Sequence, residues 1–257
     1  MPRRTDTRDP ATGRDHPVRA KATTTWQNNE VPVSVSRFTI APVTNACLAA
    51  AVLAGLPLVS RAGEAEHRQF AVTVDGKPAG SYRLSFRAGD DGSQTISAAV
   101  EVRVRALLGS YTYTLYSTEV WKAGRLVSVT AASNDNGKKH AVRATAVADG
   151  LEVVVDGRAR KARGAFLTST GWREPAPSDP APVWFDTEDG TETPVRVERR
   201  GPCNVTVGGT SVSARHYRLT GKDIDAEWWF DGAGRPVRQE MKWDGHQVVL
   251  QLTGVTR

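Results

Sequence analysis

Three acidic residues near the C-terminus have a spacing that could support acid–base catalysis. Asp223, Asp225 and Glu227 stand at positions i, i+2 and i+4, so in a regular β-strand their side chains point to one face. Neighbouring carboxylates raise one another's pKa, and two carboxyl groups can act as general acid and base, as in glycosidases. A solvated strand face beside Lys222 has the same pattern and is the interpretation that we favour. A carboxylate-dependent hydrolase of polysaccharide is therefore kept as an alternative function.

Aromatic residues suggest a different chemistry, the binding of an apolar or amphipathic small molecule. Aromatic rings that line the cavity of a β-protein can hold such a ligand. We predict Tyr113, Trp121, Trp172 and Trp228 as the residues that line a cavity of this kind. If the interior is filled with side chains, the same rings form the hydrophobic core, which is the more common arrangement.

No motif for a metal, a cofactor or nucleophilic catalysis occurs in the sequence. It contains no G-x-S-x-G, H-E-x-x-H or phosphate-binding G-x-x-x-x-G-K-[ST] pattern. Asp186 to Gly190 has part of the pattern of a calcium loop but lacks the later glutamate, so we interpret it as a polar turn. Cys203 is interpreted as a packing residue, with a thiolate nucleophile beside His216 as the alternative. The sequence predicts no metal and no cofactor.

The elements that must position these residues are β-strands. From Gly63 onward, β-branched and aromatic residues alternate with polar ones, and turns recur at short intervals. Six of the predicted turns pair Asp or Asn with Gly, at positions 75, 91, 136, 149, 156 and 244, and such pairs suit type I′ hairpins. We predict a single all-β domain, an antiparallel meander of about 12 strands curled into a barrel or half-barrel. The predicted strands are 68–74, 79–87, 94–106, 111–122, 125–133, 138–147, 151–156, 194–200, 204–207, 211–219, 224–231, 236–243 and 246–254.

Three places depart from regular alternation. The apolar residues of 111–122 change faces near Tyr116, which indicates a bulge or a change of environment there. Trp229 stands on the polar side of its strand, which predicts apolar surroundings on both faces of that strand. The proline-rich stretch 162–190 could plug an open end of the sheet, but we expect a long crossover on the surface.

The first 62 residues form a leader of two parts. Residues 1–37 are basic and poor in large apolar side chains, so we predict a disordered extension; translation could instead start at one of three valines, Val31, Val33 or Val35. Residues 38–62 have the layout of a signal peptide, with an apolar run from Ala46 to Val59 and the small-x-small sequence Ser60-Arg61-Ala62. That run is shorter than the roughly 20 residues of a membrane span, although an uncleaved anchor is the alternative. We predict an exported domain, residues 63–257, in the periplasm or outside the cell, with no stable membrane span after cleavage.

The charge of the chain is concentrated in this leader. The whole sequence has 34 Lys and Arg against 28 Asp and Glu, a net charge of +6, and eight of the basic and four of the acidic residues lie within 1–62. The remaining 26 basic and 24 acidic residues give residues 63–257 a net charge of only +2. A basic face that would bind nucleic acid is therefore not expected.

Seven phrases of the sequence stand out by their order and spacing: 70–76, 119–126, 134–138, 168–172, 186–190, 217–221 and 228–234. Together they resemble the exported bacterial proteins of domain-of-unknown-function family 6134. The resemblance spans about residues 68–253 and implies export and a single β-rich domain. It implies no activity, substrate or site. A looser likeness to half-barrel envelope proteins of the lipoprotein-carrier kind concerns the fold only.

Together these observations favour a non-enzymatic envelope protein. Its predicted role is to bind an apolar or amphipathic ligand or to assist envelope assembly. A structural or protein-interaction module that uses an exposed edge strand is a further alternative.

Overall fold

A computed structural model describes residues 65–106, 109–176 and 182–257. The predicted extension 1–37 and the predicted signal peptide 38–62 lie outside the described residues. Within the described part, no helix is long and apolar enough to span a membrane. Fifteen strands are present in that part: β1 (Glu66–Val74), β2 (Lys77–Ala88), β3 (Ser93–Ala106), β4 (Gly109–Lys122), β5 (Arg125–Asp135), β6 (Lys138–Val147), β7 (Gly150–Val155), β8 (Arg158–Ala162), β9 (Ala165–Thr168), β10 (Pro182–Phe185), β11 (Glu192–Val207), β12 (Thr210–Gly221), β13 (Ile224–Phe230), β14 (Pro236–Trp243) and β15 (His246–Thr256).

All fifteen strands belong to one sheet, in the order β8-β7-β6-β5-β4-β3-β2-β1-β15-β14-β13-β12-β11-β10-β9. Neighbours are antiparallel except β9 and β10, which are parallel. The predicted all-β fold with a curled, open sheet is thus confirmed. Three strands, β8 to β10, were not predicted, and two predicted ones merge into the long β11, whose pairing with β12 shifts at Gly201.

Four of the six predicted Asp-Gly and Asn-Gly turns have the backbone conformation of a type I′ hairpin, whereas Asp91 and Asp149 do not have positive φ, so that prediction is wrong for these two. Asp75, Asn136, Asp156 and Asp244 have φ angles of 49°, 47°, 50° and 48°, and each is followed by a glycine with positive φ. Asp and Asn tolerate the left-handed region better than other residues with a Cβ atom, and glycine adopts it at no steric cost. These dipeptides therefore fix the register of four hairpins.

Contacts between distant strands show how far the sheet curls. Trp243 on β14 meets Tyr111 and Tyr113 on β4, with ring centroids 5.8 and 5.2 Å apart. Four strands, β3, β2, β1 and β15, lie between these two in the sheet. The inner face of the curl therefore forms the hydrophobic core.

Strand β4 keeps one phase along its length. Tyr113, Leu115, Ser117, Glu119 and Trp121 are all buried, at every second position, so the predicted bulge near Tyr116 is wrong. The pairing of β4 with β5 shifts only later in the strand, just before its last two residues. In the sequence the apolar residues seemed to change faces because two of the inward-facing positions, Ser117 and Glu119, are polar.

The stretch 162–190 is also placed differently from the expectation. Its described residues 165–176 and 182–190, called here the inner segment, enter the curl. Phe166 and Phe185 pack against each other, with ring centroids 5.9 Å apart, and belong to one core cluster, whereas Leu167 and Trp184 belong to a second cluster. The prediction of a surface crossover is therefore wrong. Strands buried on both faces lack alternation, which is why β9 and β10 were missed.

Candidate functional site

A buried carboxylate holds the inner segment in place. Glu119 of β4 is 0 % exposed. Its Oε2 accepts hydrogen bonds from Trp121 Nε1 at 2.7 Å, Thr168 Oγ1 at 3.0 Å and Trp172 Nε1 at 3.1 Å, and its Oε1 accepts one from Thr170 Oγ1 at 2.7 Å. Three of the four donors belong to the inner segment, so this side chain joins that segment to the sheet.

Burial sets the electrostatics of Glu119. Loss of water raises its pKa, the four hydrogen bonds lower it, and the net effect is a pKa above the ordinary value of 4.5. A carboxylate in a dry interior accepts such bonds strongly but is costly to ionise. Glu119 thus keeps its proton to a higher pH than an exposed glutamate does.

Two further strands bind the same turn of the inner segment. Tyr82 Oη of β2 donates to the carbonyl of Thr170 at 2.7 Å. Gln239 Nε2 of β14 donates to the carbonyls of Thr170 at 3.2 Å and Gly171 at 3.1 Å. Gly171 has φ +57°, and a Cβ atom there would lie 2.7 Å from Gln239 Nε2 and 3.0 Å from the Trp228 ring. Glycine is therefore required where the turn meets the sheet.

A further anchor of the inner segment is Glu174. Glu174 accepts hydrogen bonds from Arg215 Nε at 2.5 Å and Arg215 Nη2 at 2.7 Å, and a third from the hydroxyl of Tyr217. Burial raises the pKa of Glu174, but these bonds outweigh it and lower the pKa below the ordinary value. A two-point contact of this kind fixes both distance and orientation.

Three of the four predicted ligand-binding aromatics lie in the packed interior. The rings of Trp121 and Trp172 meet edge to face at 5.4 Å and share Glu119 as acceptor. Trp228 packs on Trp184 in the second core cluster, with centroids 5.5 Å apart. These rings fill space between the sheet and the inner segment, and their role in ligand binding stays a prediction.

The fourth, Tyr113, is also buried, but its ring contacts the partly exposed Trp243 at the edge of the interior. We call Tyr111, Tyr113 and Trp243 the aromatic mouth. Trp243 is 37 % exposed although both tyrosine rings contact it. The Tyr111 hydroxyl donates to Asp135 Oδ1 at 2.6 Å. Partly exposed, clustered aromatic rings are typical of binding surfaces.

Carboxylates surround this mouth. Burial, together with the charges of Asp186, Asp135 and Asp189, raises the pKa of Glu188 to about 7, although the hydrogen bond from the Tyr113 hydroxyl lowers it. Burial, the bond to Asp135 and the charges of Glu188 and nearby Asp244 also raise the pKa of Tyr111. The turn predicted at 186–190 is confirmed by a backbone bond from Gly190 N to the Asp186 carbonyl at 2.9 Å.

Basic side chains do not offset these charges. Between described residues, no salt bridge within 4.0 Å includes any of the acidic residues around the mouth. Lys242, next to Trp243 in the chain, lies 3.5 Å from Asp225 instead. The mouth is therefore a negative, aromatic surface.

The proposed catalytic carboxylates are separated. Asp223 lies in a turn with φ 60°, before β13 begins, so the prediction that all three line one strand face is wrong. Asp225 pairs with Arg218 at 3.1 Å, and Glu227 is bonded to His216 at 2.7 Å. Each strand carboxylate thus has a basic partner instead of a second carboxylate, which weakens the hydrolase alternative.

Two further features bear on the site. Trp229 is buried against His216, with stacked rings 4.4 Å apart, and Trp228 is buried on the other face. The prediction of apolar surroundings on both faces of β13 is confirmed. The described residues contain no group of three or more His, Cys, Asp or Glu that could hold a metal ion.

A groove of about 470 Å³ lies on the outer face of β2 to β5. Small side chains such as Ser97 and Ala99 line it, and Tyr116, 51 % exposed, stands at its side.

Comparisons with known proteins identify a family and a fold. A family model described as a domain of unknown function, DUF6134, matches residues 70–253. A comparison with curated proteins finds no match. The crystal structure of a β-barrel-like protein of domain of unknown function DUF1849 from Brucella abortus is similar, with a TM-score of 0.51 and 11% identity over 74% of this chain and 96% of that one. At this identity the likeness concerns the fold alone.

Proposed function

Because the chain belongs to the DUF6134 family, whose description assigns no activity, we propose a function from the geometry: a non-enzymatic binding protein that holds an amphipathic ligand at the aromatic mouth. The observation that carries this proposal is the exposure of Trp243 over Tyr111 and Tyr113. Trp243 and Tyr111, supported from below by the buried ring of Tyr113, offer apolar contact area that needs no rearrangement of the core.

The packed interior argues for the mouth as the binding place. A ligand chain at Trp121 or Trp172 would have to displace the inner segment and break the bonds to Glu119. A chain at the mouth needs only to cover Trp243 and the half-buried Tyr111, which already contact solvent. The mouth is therefore the less costly site.

The place of action is part of the same proposal. The pattern of residues 38–62 supports export to the periplasm or the cell exterior. Amphiphiles are the building material of the cell envelope, so a protein that binds one there could assist its assembly.

The proposal is tested with three amphiphiles that share an octyl chain: octyl glucoside, octyl sulfate and octyltrimethylammonium. Each is titrated below its critical micelle concentration into the domain 63–257, and binding is followed by NMR and by calorimetry. We expect at least one to bind, and Trp243→Leu to weaken that binding about fivefold through lost aromatic contact.

The matched control is Tyr116→Leu, because Tyr116 is an exposed aromatic residue on the outer face, away from the mouth. This variant should leave the affinity unchanged. If none of the amphiphiles binds, or if the Tyr116 variant loses as much affinity as the Trp243 variant, the proposed function is wrong.

A further inference from the structure

We propose that the polar group of the ligand is an organic cation, an ammonium group seated against the rings of the aromatic mouth between its carboxylates. This inference rests on the proposed function and adds the chemical class of the ligand. It follows from the arrangement of the rings, the charges beside them and the partners of the neighbouring basic residues.

The rings supply the first part of the argument. Tyr111 and Tyr113 meet Trp243 at interplanar angles of 66° and 65°, so the three rings are not stacked in parallel. Tilted rings around a common opening present edges to one another and leave face area to a ligand. The face of an indole or phenol ring carries negative potential and attracts a cation, and Trp does so best.

The carboxylates supply the second part. Asp135 is fixed at 2.6 Å from the Tyr111 hydroxyl, and Glu188 lies beside Tyr113. Asp186 is half-buried in the 186–190 turn, and its charge acts on both Tyr113 and Glu188. An ammonium group at the rings would be attracted by all three, whereas a sulfate or phosphate would be repelled.

Three basic residues close to the mouth have other partners. Lys242 is paired with Asp225, and His246 is bonded to Asp75 at 2.7 Å. Arg160 contacts Glu192 and the Gly190 carbonyl. Lys138 stands opposite Asp135 in the pairing of β5 with β6, but no salt bridge between described residues includes Asp186 or Glu188, so the charge of these two is left for a ligand to balance.

The ring faces also favour one kind of cation. Small metal ions are strongly hydrated and need several oxygen ligands at fixed distances. Quaternary and other alkylated ammonium groups are weakly hydrated and are the cations that aromatic cages bind. An amine-bearing amphiphile satisfies both the rings and the carboxylates.

The experiment compares the same three octyl amphiphiles in the domain 63–257. We expect octyltrimethylammonium to bind about tenfold tighter than octyl sulfate, with octyl glucoside between them. Glu188→Gln keeps the shape of the side chain but removes its charge, and we expect it to weaken binding of the cation about fivefold and of the glucoside very little.

Two matched variants separate charge and ring effects from changes in folding. Glu152→Gln removes a carboxylate from the exposed face of β7, and we expect it to change no affinity. Trp243→Phe retains a ring, and we expect it to retain most of the preference for the cation, whereas Trp243→Leu should lose it. Circular dichroism of each variant verifies that the sheet is intact.

A fourth probe, tetramethylammonium, distinguishes an amphiphile from a free ammonium compound. Weak binding of this ion, at least about tenfold below octyltrimethylammonium, supports an amphiphile; equal binding retains the cation but overturns its assignment to an amphiphile. If octyl sulfate or octyl glucoside binds as tightly as the ammonium amphiphile and still requires Trp243, the inference is wrong and the proposed function stands. If no probe binds, both are wrong.

Discussion

Replacement of Glu119 gives the sharpest test of how the inner segment is held. In Glu119→Ala, the indole N–H groups of Trp121 and Trp172 lose their acceptor, while the hydroxyls of Thr168 and Thr170, 3.0 Å apart, can bond to each other. An unsatisfied buried donor costs about 1–3 kcal/mol, so two cost about 2–6 kcal/mol. Removal of a costly buried carboxylate offsets part of this. We expect a net loss of about 2–4 kcal/mol in the free energy of unfolding.

Glu119→Gln should behave differently. The amide oxygen can accept from both tryptophans, and the amide NH₂ can donate to Thr170, which reproduces the bonds of the protonated acid. Because the pKa of Glu119 is raised, the carboxyl is protonated in both states below pH 4.5. As the pH rises from 4.5 through the folded-state pKa, the unfolded chain loses this proton first, and the wild-type protein loses stability. The glutamine variant has no such loss.

The assay is urea unfolding of wild type and both variants between pH 4.5 and 8, followed by tryptophan fluorescence. The difference between Glu119→Gln and wild type isolates this one group, since other titrating groups are common to both, and it should grow with pH. Glu101→Gln, on the exposed outer face, is the control and should stay within about 0.5 kcal/mol. A pH-independent difference, or an alanine variant as stable as wild type, would refute the reasoning.

Three more outcomes are expected. Gly171→Ala should lower the free energy of unfolding by about 2 kcal/mol, because its Cβ would strike the sheet at positive φ, whereas Gly232→Ala, with open space around it, should change it little in the same urea titration. The lowered pKa of Glu174 stabilises the fold above pH 4.5, and this stabilisation is lost as the pH falls through the folded-state pKa. The wild-type protein should therefore be more stable than Glu174→Gln at pH 7, and the difference should shrink at pH 3. Thermal unfolding at the two pH values measures it. Carbon-detected NMR should give Glu188 a pKa near 7, and Asp186→Asn should move it down because a like charge is removed; an unchanged midpoint would contradict that coupling.

The sequence predicts those parts of the fold that depend on local rules. Turns such as Asn136-Gly137 need positive φ, and alternating strands between such turns need an open curled sheet. The inner segment follows no local rule. Its strands β9 and β10 are buried on both faces, and the position of the segment is set by contacts with β4 and β14. Sequence patterns cannot separate such a strand from an irregular loop.

The residues of the candidate site could likewise be predicted from the sequence only in part. Tyr113 was predicted as a binding residue, and it lies at the mouth, but its partner Trp243 comes from a strand five places away in the sheet. Glu119 was missed as a site residue, although Ser117, Glu119 and Trp121 follow the inward phase set by Tyr113. A charged residue in phase with buried apolar ones is the signal that could have identified it.

The position of the inner segment also affects self-association. An open sheet has two edges whose free N–H and C=O groups can recruit strands of other molecules. Here one edge strand, β9, is rolled into the core and buried. The other, β8, has only five residues, and Arg158, Arg160 and Lys161 are exposed on it. Within the described part of the chain, one edge of the sheet is thus buried, and the other is short and positively charged. Two copies of the protein therefore repel each other at the edge where they could otherwise join into a growing sheet.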